Sequence, residues 1–219
     1  MNMHSIAQDY YTLVIDDKGN MPALRQNDCN AGLVTAALMD LQLAQVLMLD
    51  GKNIRITAPL PDALAHLAPL YDYLAEKERT TQKLMSDFCL TTRAHLKPLI
   101  AAIGGALASV GCATEEAGVP LGNRPAYVPT PAHKHACVTA LKEATNDMAH
   151  LSDHDAALLW ILSESKNLKQ YFSKYESSDL KAALKKLKDD PQNVQLAKIL
   201  QQADDMTSAI AAVMLLTLV

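Results

Sequence analysis

The chain has 219 residues, of which 49% are hydrophobic and 20% are charged, so it can bury a sizeable core and is predicted to form a single domain over residues 1–219. Its formal charge of −4 excludes a strong overall attraction to nucleic acid or anionic lipid, and any such binding must come from a local basic patch. The four cysteines are widely spaced and residues 1–8 lack the features of a signal peptide, which predicts reduced thiols in a cytoplasmic protein.

Two helices are predicted before residue 45. The first is the amphipathic stretch Ile6–Val14. The second is expected to begin at a cap formed by Asp28 or Asn30 and to run to about Ala44. Its apolar residues leave only a narrow polar strip, so we expect this helix to lie deep in the core.

A β-hairpin is predicted next, because two β-prone runs, 46–49 and 54–57, flank a polar turn. A helix followed by a hairpin is a winged-helix-like unit. A similar order recurs downstream, where a small-residue apolar helix, Leu99–Val110, precedes the Gly- and Pro-rich stretch 112–131. This stretch predicts a second hairpin with its tip near residues 119–122.

The remainder of the chain has helical patterns. Residues 59–97 are predicted to be mostly helical, and helices alone are expected from Ala132 onward. Ser152 with Asp155 is predicted to form a capping box, and Ser177 or Ser178 is predicted to cap a helix that ends at Lys188.

The apolar C-terminal stretch, 206–219, has 14 residues, whereas a membrane-spanning helix needs roughly 20. We therefore expect a buried core helix and no transmembrane span. Together these patterns predict a mainly α fold: a compact helical domain with one or two small β-hairpins and winged-helix-like units near the N-terminus.

No common catalytic or cofactor motif is present: the phosphate-binding loop, the dinucleotide fingerprint, the zinc-protease helix and the nucleophile elbow are all missing. Acidic pairs such as Asp16 and Asp17 are adjacent in sequence, which points them apart and suits solvation better than acid–base catalysis. The sequence therefore predicts no enzyme and no cofactor.

The close histidine pairs are His133 with His135 and His150 with His154. A zinc site needs three or four ligands with supporting groups, so we interpret these histidines as solvated or packing residues and predict no metal site. Nucleic acid is not a predicted partner, since residues 26–51 contain no Lys or Arg to contact phosphates.

Two groups of basic residues stand out. Arg79, Lys83, Arg93 and Lys97 precede the helix at Leu99, with Pro98 expected at its first position, and a helix N-terminus flanked by cations suits an anion. Exposed, solvated charge is the ordinary explanation of such a cluster. The second group comprises four lysines between residues 181 and 188. This pattern primarily indicates an ordinary amphipathic surface helix, and a helix that contacts a membrane is the alternative.

The order of several short segments resembles the Golgi phosphoprotein 3 family. The resemblance begins with Asp9-Tyr10-Tyr11 and the run 13–19, continues with Ala31-Gly32-Leu33 and the run 38–43, and is followed by the hairpin. It extends through 96–111 and 155–162, and so covers nearly the whole chain from about Ile6. The short form of the chain is similar to bacterial members.

The resemblance implies a peripheral membrane protein at the cytosolic face. Eukaryotic members bind phosphatidylinositol 4-phosphate, act in Golgi vesicle traffic, recruit coat components and retain glycosyltransferases, and an apolar hairpin has been linked to membrane contact and oligomerisation. The family pocket uses a Trp before the first core helix, an Arg on it, and two Arg on a later helix. The corresponding positions here are Arg25, Val34, Lys97 and Ile100.

Val34 and Ile100 offer no charge-assisted bond to a phosphate, so we expect a remnant anion-binding site at Arg25 and Lys97 with little or no selectivity for phosphatidylinositol 4-phosphate. Two functions follow as hypotheses. The first is a peripheral lipid-binding adaptor that recognises a phosphoinositide or another anionic phospholipid headgroup. The second is a protein-interaction or scaffolding module that has lost lipid binding and has protein partners or forms a homo-oligomer.

Overall fold

A computed structural model of the protein describes residues 4–90, 94–116, 126–191 and 194–216, with side chains up to Ser208. The α-helices of this part of the chain are α1 (Ile6–Val14), α2 (Gln26–Leu43), α3 (Ala68–Ala75), α4 (Thr81–Met85), α5 (Leu96–Ser109), α6 (Pro131–Ala144), α7 (Asp153–Glu164), α8 (Lys174–Lys188) and α9 (Val194–Leu216). The strands are β1 (Leu47–Asp50), β2 (Asn53–Ile56), β3 (Arg79–Thr80), β4 (Ala113–Glu116) and β5 (Ala126–Pro129). Short 3-10 helices occupy Ala23–Arg25, Asp62–Leu67, Met148–His150 and Leu168–Gln170, and a π-helical turn occupies Ser86–Leu90.

The strands form two small antiparallel sheets. β1 and β2 form the predicted hairpin, with Leu47 opposite Ile56, and β3 adds to the free edge of β2. β4 and β5 form the second hairpin, with Ala113 opposite Pro129. The predicted fold class, mainly α with small hairpins, is confirmed.

Helix α1 has the predicted bounds because its N-terminus is capped twice over. Ser5 and Gln8 form a capping box, in which each side chain accepts a hydrogen bond from the other residue's amide. The buried carboxylate of Asp40 accepts the amides of Ile6 at 2.8 Å and Ala7 at 2.9 Å. These bonds satisfy amides that have no partner within the helix and tie α1 to α2.

Helix α2 begins at Gln26, earlier than predicted, because the preceding 3-10 turn runs directly into it. Arg25 occupies the N-cap position without a side-chain cap bond, Asp28 lies in the first turn, and Asn30 is buried. The expected burial is confirmed, since every residue from Cys29 to Leu41 is buried.

The end of α2 shows how a helix is joined to its hairpin. Gln45 adopts a positive φ of 59°, and the next amide, that of Val46, donates back to Leu41 O at 2.8 Å. The carbonyl of Val46 then accepts the Thr57 amide at 2.9 Å, which closes the hairpin onto the helix.

The second unit repeats this pattern. Gly111 has a φ of 75°, the Cys112 amide donates to Leu107 O at 2.8 Å, and Cys112 O accepts the Thr130 amide at 2.9 Å. The predicted recurrence of helix and hairpin is therefore confirmed down to the hydrogen bonds, and Cys112 stands where the first unit has Val46. The expected hairpin tip near residues 119–122 lies outside the described residues.

Helix α5 begins at Leu96, so Pro98 is its third residue. The prediction that Pro98 occupies the first position of this helix was wrong. The first amides of a helix have no intrahelical partner, so proline is tolerated throughout the first turn.

The predicted caps of the later helices are partly corrected. Ser152 caps α7 by accepting the Asp155 amide, but its hydroxyl also donates to the Asp155 carboxylate at 2.6 Å, so no reciprocal box forms. Ser173 caps α8 in a capping box with Glu176, whereas Ser177 is buried inside that helix. The prediction of Ser177 or Ser178 overlooked this earlier Ser-x-x-Glu pattern.

Buried residues from α1 through α9 form one hydrophobic cluster around α2 and α7. Helix α9 packs on α7 and α8, and Met206 is buried, as expected for the start of the C-terminal stretch. Within the described ranges, none of the helices combines the length and apolar character needed to span a bilayer. Cys29 and Cys89 are buried, Cys112 and Cys137 are half-buried, and none of the four forms a disulfide bond.

Candidate functional site

Arg25 lies at the surface where the short 3-10 turn enters α2. Its Nη1 donates to the backbone oxygen of Lys166 at 2.7 Å, which fixes the guanidinium beside the C-terminal end of α7. A guanidinium carries five N–H donors in a planar fork, so one bond to a carbonyl leaves the fork able to bind a phosphate. The structure therefore places the first predicted site residue where an anion can reach it.

Lys166 is a second basic residue at this place, and no motif in the sequence points to it. Its Nζ lies 2.8 Å from the Asp28 carboxylate on a largely exposed side chain. The residue has a φ of 61°, a left-handed conformation that costs a non-glycine residue about 1 kcal/mol. It ends α7 in the same way that Gln45 ends α2, with the Asn167 amide donating to Leu162 O at 2.8 Å.

Leu24, the neighbour of Arg25, is fully exposed. Single exposed apolar residues are common on protein surfaces. Here, however, the exposed leucine is directly beside Arg25, whose guanidinium is anchored to Lys166. An exposed apolar side chain next to a cation can contribute to contact with a membrane interface, although the nearby Lys166 ammonium is paired with Asp28.

The other predicted pocket positions have different surroundings. Val34 is completely buried in α2, and Ile100 is partly buried against the core. Lys97 is exposed in the first turn of α5, a helix that packs on α3 and on the β4–β5 hairpin. Arg25 instead contacts Lys166 at the end of α7, so the two predicted cations have different neighbours.

Two members of the basic cluster before α5, Arg79 and Lys83, are paired with carboxylates of the protein. The Arg79 guanidinium lies 3.7 Å from the centre of the Tyr73 ring, binds Glu76 at 2.7 Å, and is only 8% exposed. Lys83 binds Asp87 at 2.7 Å. Arg93, the fourth member of the predicted cluster, lies outside the described residues. These contacts favour a structural role for Arg79, whereas the pair of Lys83 with Asp87 is an exposed surface pair.

Two of the four lysines of the predicted group on α8 pair with carboxylates of the protein. Lys181 binds Glu164 at 2.9 Å, and Lys188 binds Asp204 at 2.7 Å while its Nζ lies 5.0 Å from the centre of the Trp160 ring. This agrees with the first interpretation of α8 as an ordinary surface helix.

The base of the second hairpin is held tightly against α1 and α5. Tyr11 donates its hydroxyl to Tyr127 O at 2.6 Å. A β-carbon added to Gly104 would lie 2.6 Å from the Tyr127 β-carbon, so glycine is needed for this approach. The hairpin base is thus a rigid part of the fold.

The histidine pairs noted in the sequence do not act as pairs. His150 is exposed and bound to Asp147, and His154 lies 3.3 Å from both Asp9 and Asp155. Burial alone would lower the pKa of His154, but the two carboxylates raise it to about 10. On α6, His135 points to solvent, whereas His133 is half-buried.

The comparison with known proteins agrees with this architecture. The family model for Golgi phosphoprotein 3 (GPP34) matches residues 6–206, which is nearly the whole chain and includes both helix-and-hairpin units. No curated protein matches the sequence. The chain therefore belongs to the Golgi phosphoprotein 3 family.

Proposed function

We propose that the protein is a peripheral lipid-binding adaptor that attaches to the cytosolic face of a membrane by recognising anionic phospholipid headgroups. Arg25 is the principal headgroup-binding residue and Lys97 is a second, separate cation. Family membership supports the class of function, and the observation that carries the proposal is the exposed Leu24 beside Arg25 and Lys166. In this proposal the protein acts by binding and not by catalysis, and it needs no cofactor.

The free energy of membrane binding is expected to be the sum of a few small contributions. Each basic residue near an anionic membrane surface contributes about 1 kcal/mol. Leu24 adds a hydrophobic contribution when its side chain enters the interface. Because Arg25 is held by Lys166 O, little side-chain entropy is lost when it binds a phosphate. Binding is therefore expected to be weak, reversible and sensitive to salt.

Selectivity for one headgroup is expected to be low. A headgroup pocket needs several charge-assisted bonds from converging directions. Val34 is buried and apolar, and Ile100 is apolar and packed against the core, so neither can supply such a bond. The protein should respond to the negative charge of the membrane more than to the identity of the headgroup.

Liposome flotation tests the proposal. Full-length protein is mixed with vesicles of phosphatidylcholine alone, of phosphatidylcholine with phosphatidylserine, or of phosphatidylcholine with phosphatidylinositol 4-phosphate. We expect flotation with both anionic mixtures, and we expect Arg25→Glu and Leu24→Ser to reduce it severalfold, with a smaller loss for Lys97→Glu. Arg55→Glu is the matched control, because Arg55 is an exposed arginine on β2 that pairs with Glu78.

Equal binding to neutral and anionic vesicles would contradict the proposal, and so would equal losses for Arg25→Glu and Arg55→Glu. The alternative is a protein-interaction or scaffolding module that has lost lipid binding. The burial of Val34 and the exposure of Tyr175 on α8 and Val194 on α9 favour it. In that case none of the vesicles would float the protein, and affinity or size measurements would identify a protein partner or a homo-oligomer.

A further inference from the structure

Four residues with metal-binding side chains meet at the base of the second hairpin. His4 precedes α1, Cys112 joins α5 to β4, and His133 and Cys137 lie one turn apart on α6. Asp9 on α1 lies beside them. The residues are distant in sequence and half-buried, and a cavity of about 310 Å³ lies next to them.

Two sulfur–nitrogen distances within this cluster are those of ligands that bind the same metal ion. Cys112 Sγ lies 3.8 Å from His4 Nε2, and Cys137 Sγ lies 3.6 Å from His133 Nε2. In a tetrahedral zinc site, with Zn–S of about 2.3 Å and Zn–N of about 2.0–2.1 Å, a sulfur and a nitrogen ligand are about 3.6 Å apart. Within each of these two pairs, the thiol and the imidazole have the separation of ligands that share an ion.

His133 connects the two halves of the cluster. Its ring belongs to a group with His4 and Cys112, and also to a group with Asp9 and Cys137, and within each group all donor atoms lie within 4.8 Å of one another. The rings of His4 and His133 meet edge to face, with centroids 4.7 Å apart. His133 therefore links the two groups, and one ion bound by all four side chains draws the two groups together around this imidazole.

The fold does not require a cysteine at position 112. The first helix-and-hairpin unit has Val46 at the corresponding position, with the same two backbone hydrogen bonds and an ordinary buried side chain. The hydrogen bonds of this junction therefore need no thiol, which leaves the Cys112 side chain available for another role.

We propose that His4, Cys112, His133 and Cys137 bind one Zn²⁺ ion in a tetrahedral site. Two thiolates and two imidazoles form the soft donor set that zinc prefers in structural sites. Asp9 Oδ1 lies 3.6 Å from Cys137 Sγ and within 4.8 Å of a His133 nitrogen, so its carboxylate is a direct neighbour of the proposed ligands. The ion ties the entrance of α1 and the base of the β4–β5 hairpin to α6.

This site was not predicted from the sequence, where His133 was paired with its neighbour His135. A metal site on one helix uses residues one turn apart, and His133-x-x-x-Cys137 has that spacing, whereas His133-x-His135 does not. The signal was therefore a histidine and a cysteine four residues apart.

The test uses the reduced, metal-free full-length protein. Titration with zinc sulfate in a calorimeter should show saturable binding of one ion per chain, and the melting temperature should rise with zinc concentration. Cobalt(II) in place of zinc should give the visible bands of a tetrahedral ion together with the charge-transfer absorption of a cobalt–thiolate bond.

Cys112→Ser and His133→Ala should each weaken zinc binding at least tenfold. His135→Ala is the matched control on the same helix, and Cys89→Ala is the control for a thiol outside the cluster; both should bind as the unmodified protein does. Circular dichroism checks that each variant is folded. The cobalt spectrum is recorded on the unmodified protein, so this part of the test is valid even if a variant does not fold.

The absence of saturable binding in the reduced protein would overturn the proposal. A cobalt spectrum without thiolate charge transfer would do the same, as would an equal loss of affinity in His133→Ala and His135→Ala. None of these measurements involves lipid, so their outcome is independent of the proposed membrane function.

Discussion

Tyr10 packs so closely against Gly32 that a β-carbon built on the glycine would lie 2.1 Å from the tyrosine hydroxyl oxygen. The Tyr10 ring is completely buried between α1 and α2, and its hydroxyl lies 3.4 Å from Asn167 Nδ2. Both residues belong to the segments on which the family resemblance was recognised. Their contact gives a physical reason why both residues occur in the family pattern. Helix α1 can approach α2 this closely only where the residue facing Tyr10 lacks a side chain.

Gly32→Ala should therefore destabilise the protein. The added carbon overlaps a ring that has no free space around it, and overpacking of this kind costs about 1–3 kcal/mol. The measurement is the free energy of unfolding in urea. Gly105→Ala on α5 is the control, because its β-carbon would meet the nearest atom, Tyr127 Oη, at 3.5 Å, and it should gain up to about 1 kcal/mol of helix stability. Equal stabilities of the two variants would contradict the packing argument.

Asp40 should make stability depend on pH. Burial raises the pKa of this carboxyl to about 6, although the Ala7 and Ile6 amides oppose the rise. The folded state then holds the proton more tightly than the unfolded state, whose pKa is near 3.8. The protonated Asp40 carboxyl therefore stabilises the folded state below about pH 4. As the pH rises to about 6 this contribution is lost, and the free energy of unfolding falls by roughly 3 kcal/mol.

Asp40→Asn should flatten that dependence, since an amide does not titrate. Urea unfolding of both proteins between pH 4 and 7 measures the effect, with exposed Asp62→Asn as the control. His66 also titrates in this range, because burial lowers its pKa to about 4. Both proteins contain His66, so its contribution cancels when the pH dependence of one is subtracted from that of the other. Parallel curves for Asp40→Asn and the unmodified protein would show that Asp40 does not carry the effect.

Lys166→Gly should separate stability from lipid binding. Glycine adopts a positive φ without strain, so the substitution should stabilise the end of α7 by up to about 1 kcal/mol, less the small contribution of the exposed pair with Asp28. Loss of the cation should weaken binding to anionic vesicles about fivefold if the proposed function is right. Thermal unfolding and flotation measure the two effects.

Gln45→Gly is the matched control, because Gln45 has the same helix-end conformation on α2 with a φ of 59° and carries no charge. It should raise stability similarly and leave vesicle binding unchanged. A loss of binding in this variant would mean that helix-end flexibility, and not the Lys166 charge, affects the membrane contact.

Arg79→Lys should be destabilising by about 1–3 kcal/mol. The Arg79 guanidinium stacks on Tyr73 and bonds both Tyr73 O and Glu76, a geometry that an ammonium group cannot reproduce. Arg55→Lys should change stability by less than about 0.5 kcal/mol, because its pair with Glu78 is exposed. Chemical unfolding compares the two, and similar losses would argue against a structural role for Arg79.

Patterns confined to neighbouring residues were enough to locate much of the fold. The start of α1 follows from Ser5 and Gln8, which satisfy each other's amides within one turn, and the first hairpin follows from its polar turn. The capping box and the polar turn join residues fewer than five positions apart and can be recognised from the linear order, whereas the second cap of α1 comes from the distant Asp40. The overlooked cap at Ser173 was also of this kind and could have been found from Glu176.

Tertiary packing settled the features that depend on distant residues. It brings Arg25 to Lys166 and places Arg79 against Tyr73 and Glu76. It also brings His4, Cys112 and His133 together. No local pattern connects such residues, because their distances follow from how the helices pack. The sequence alone therefore indicated the family and the order of its elements, while long-range packing determined which cations are exposed and which thiols and imidazoles meet.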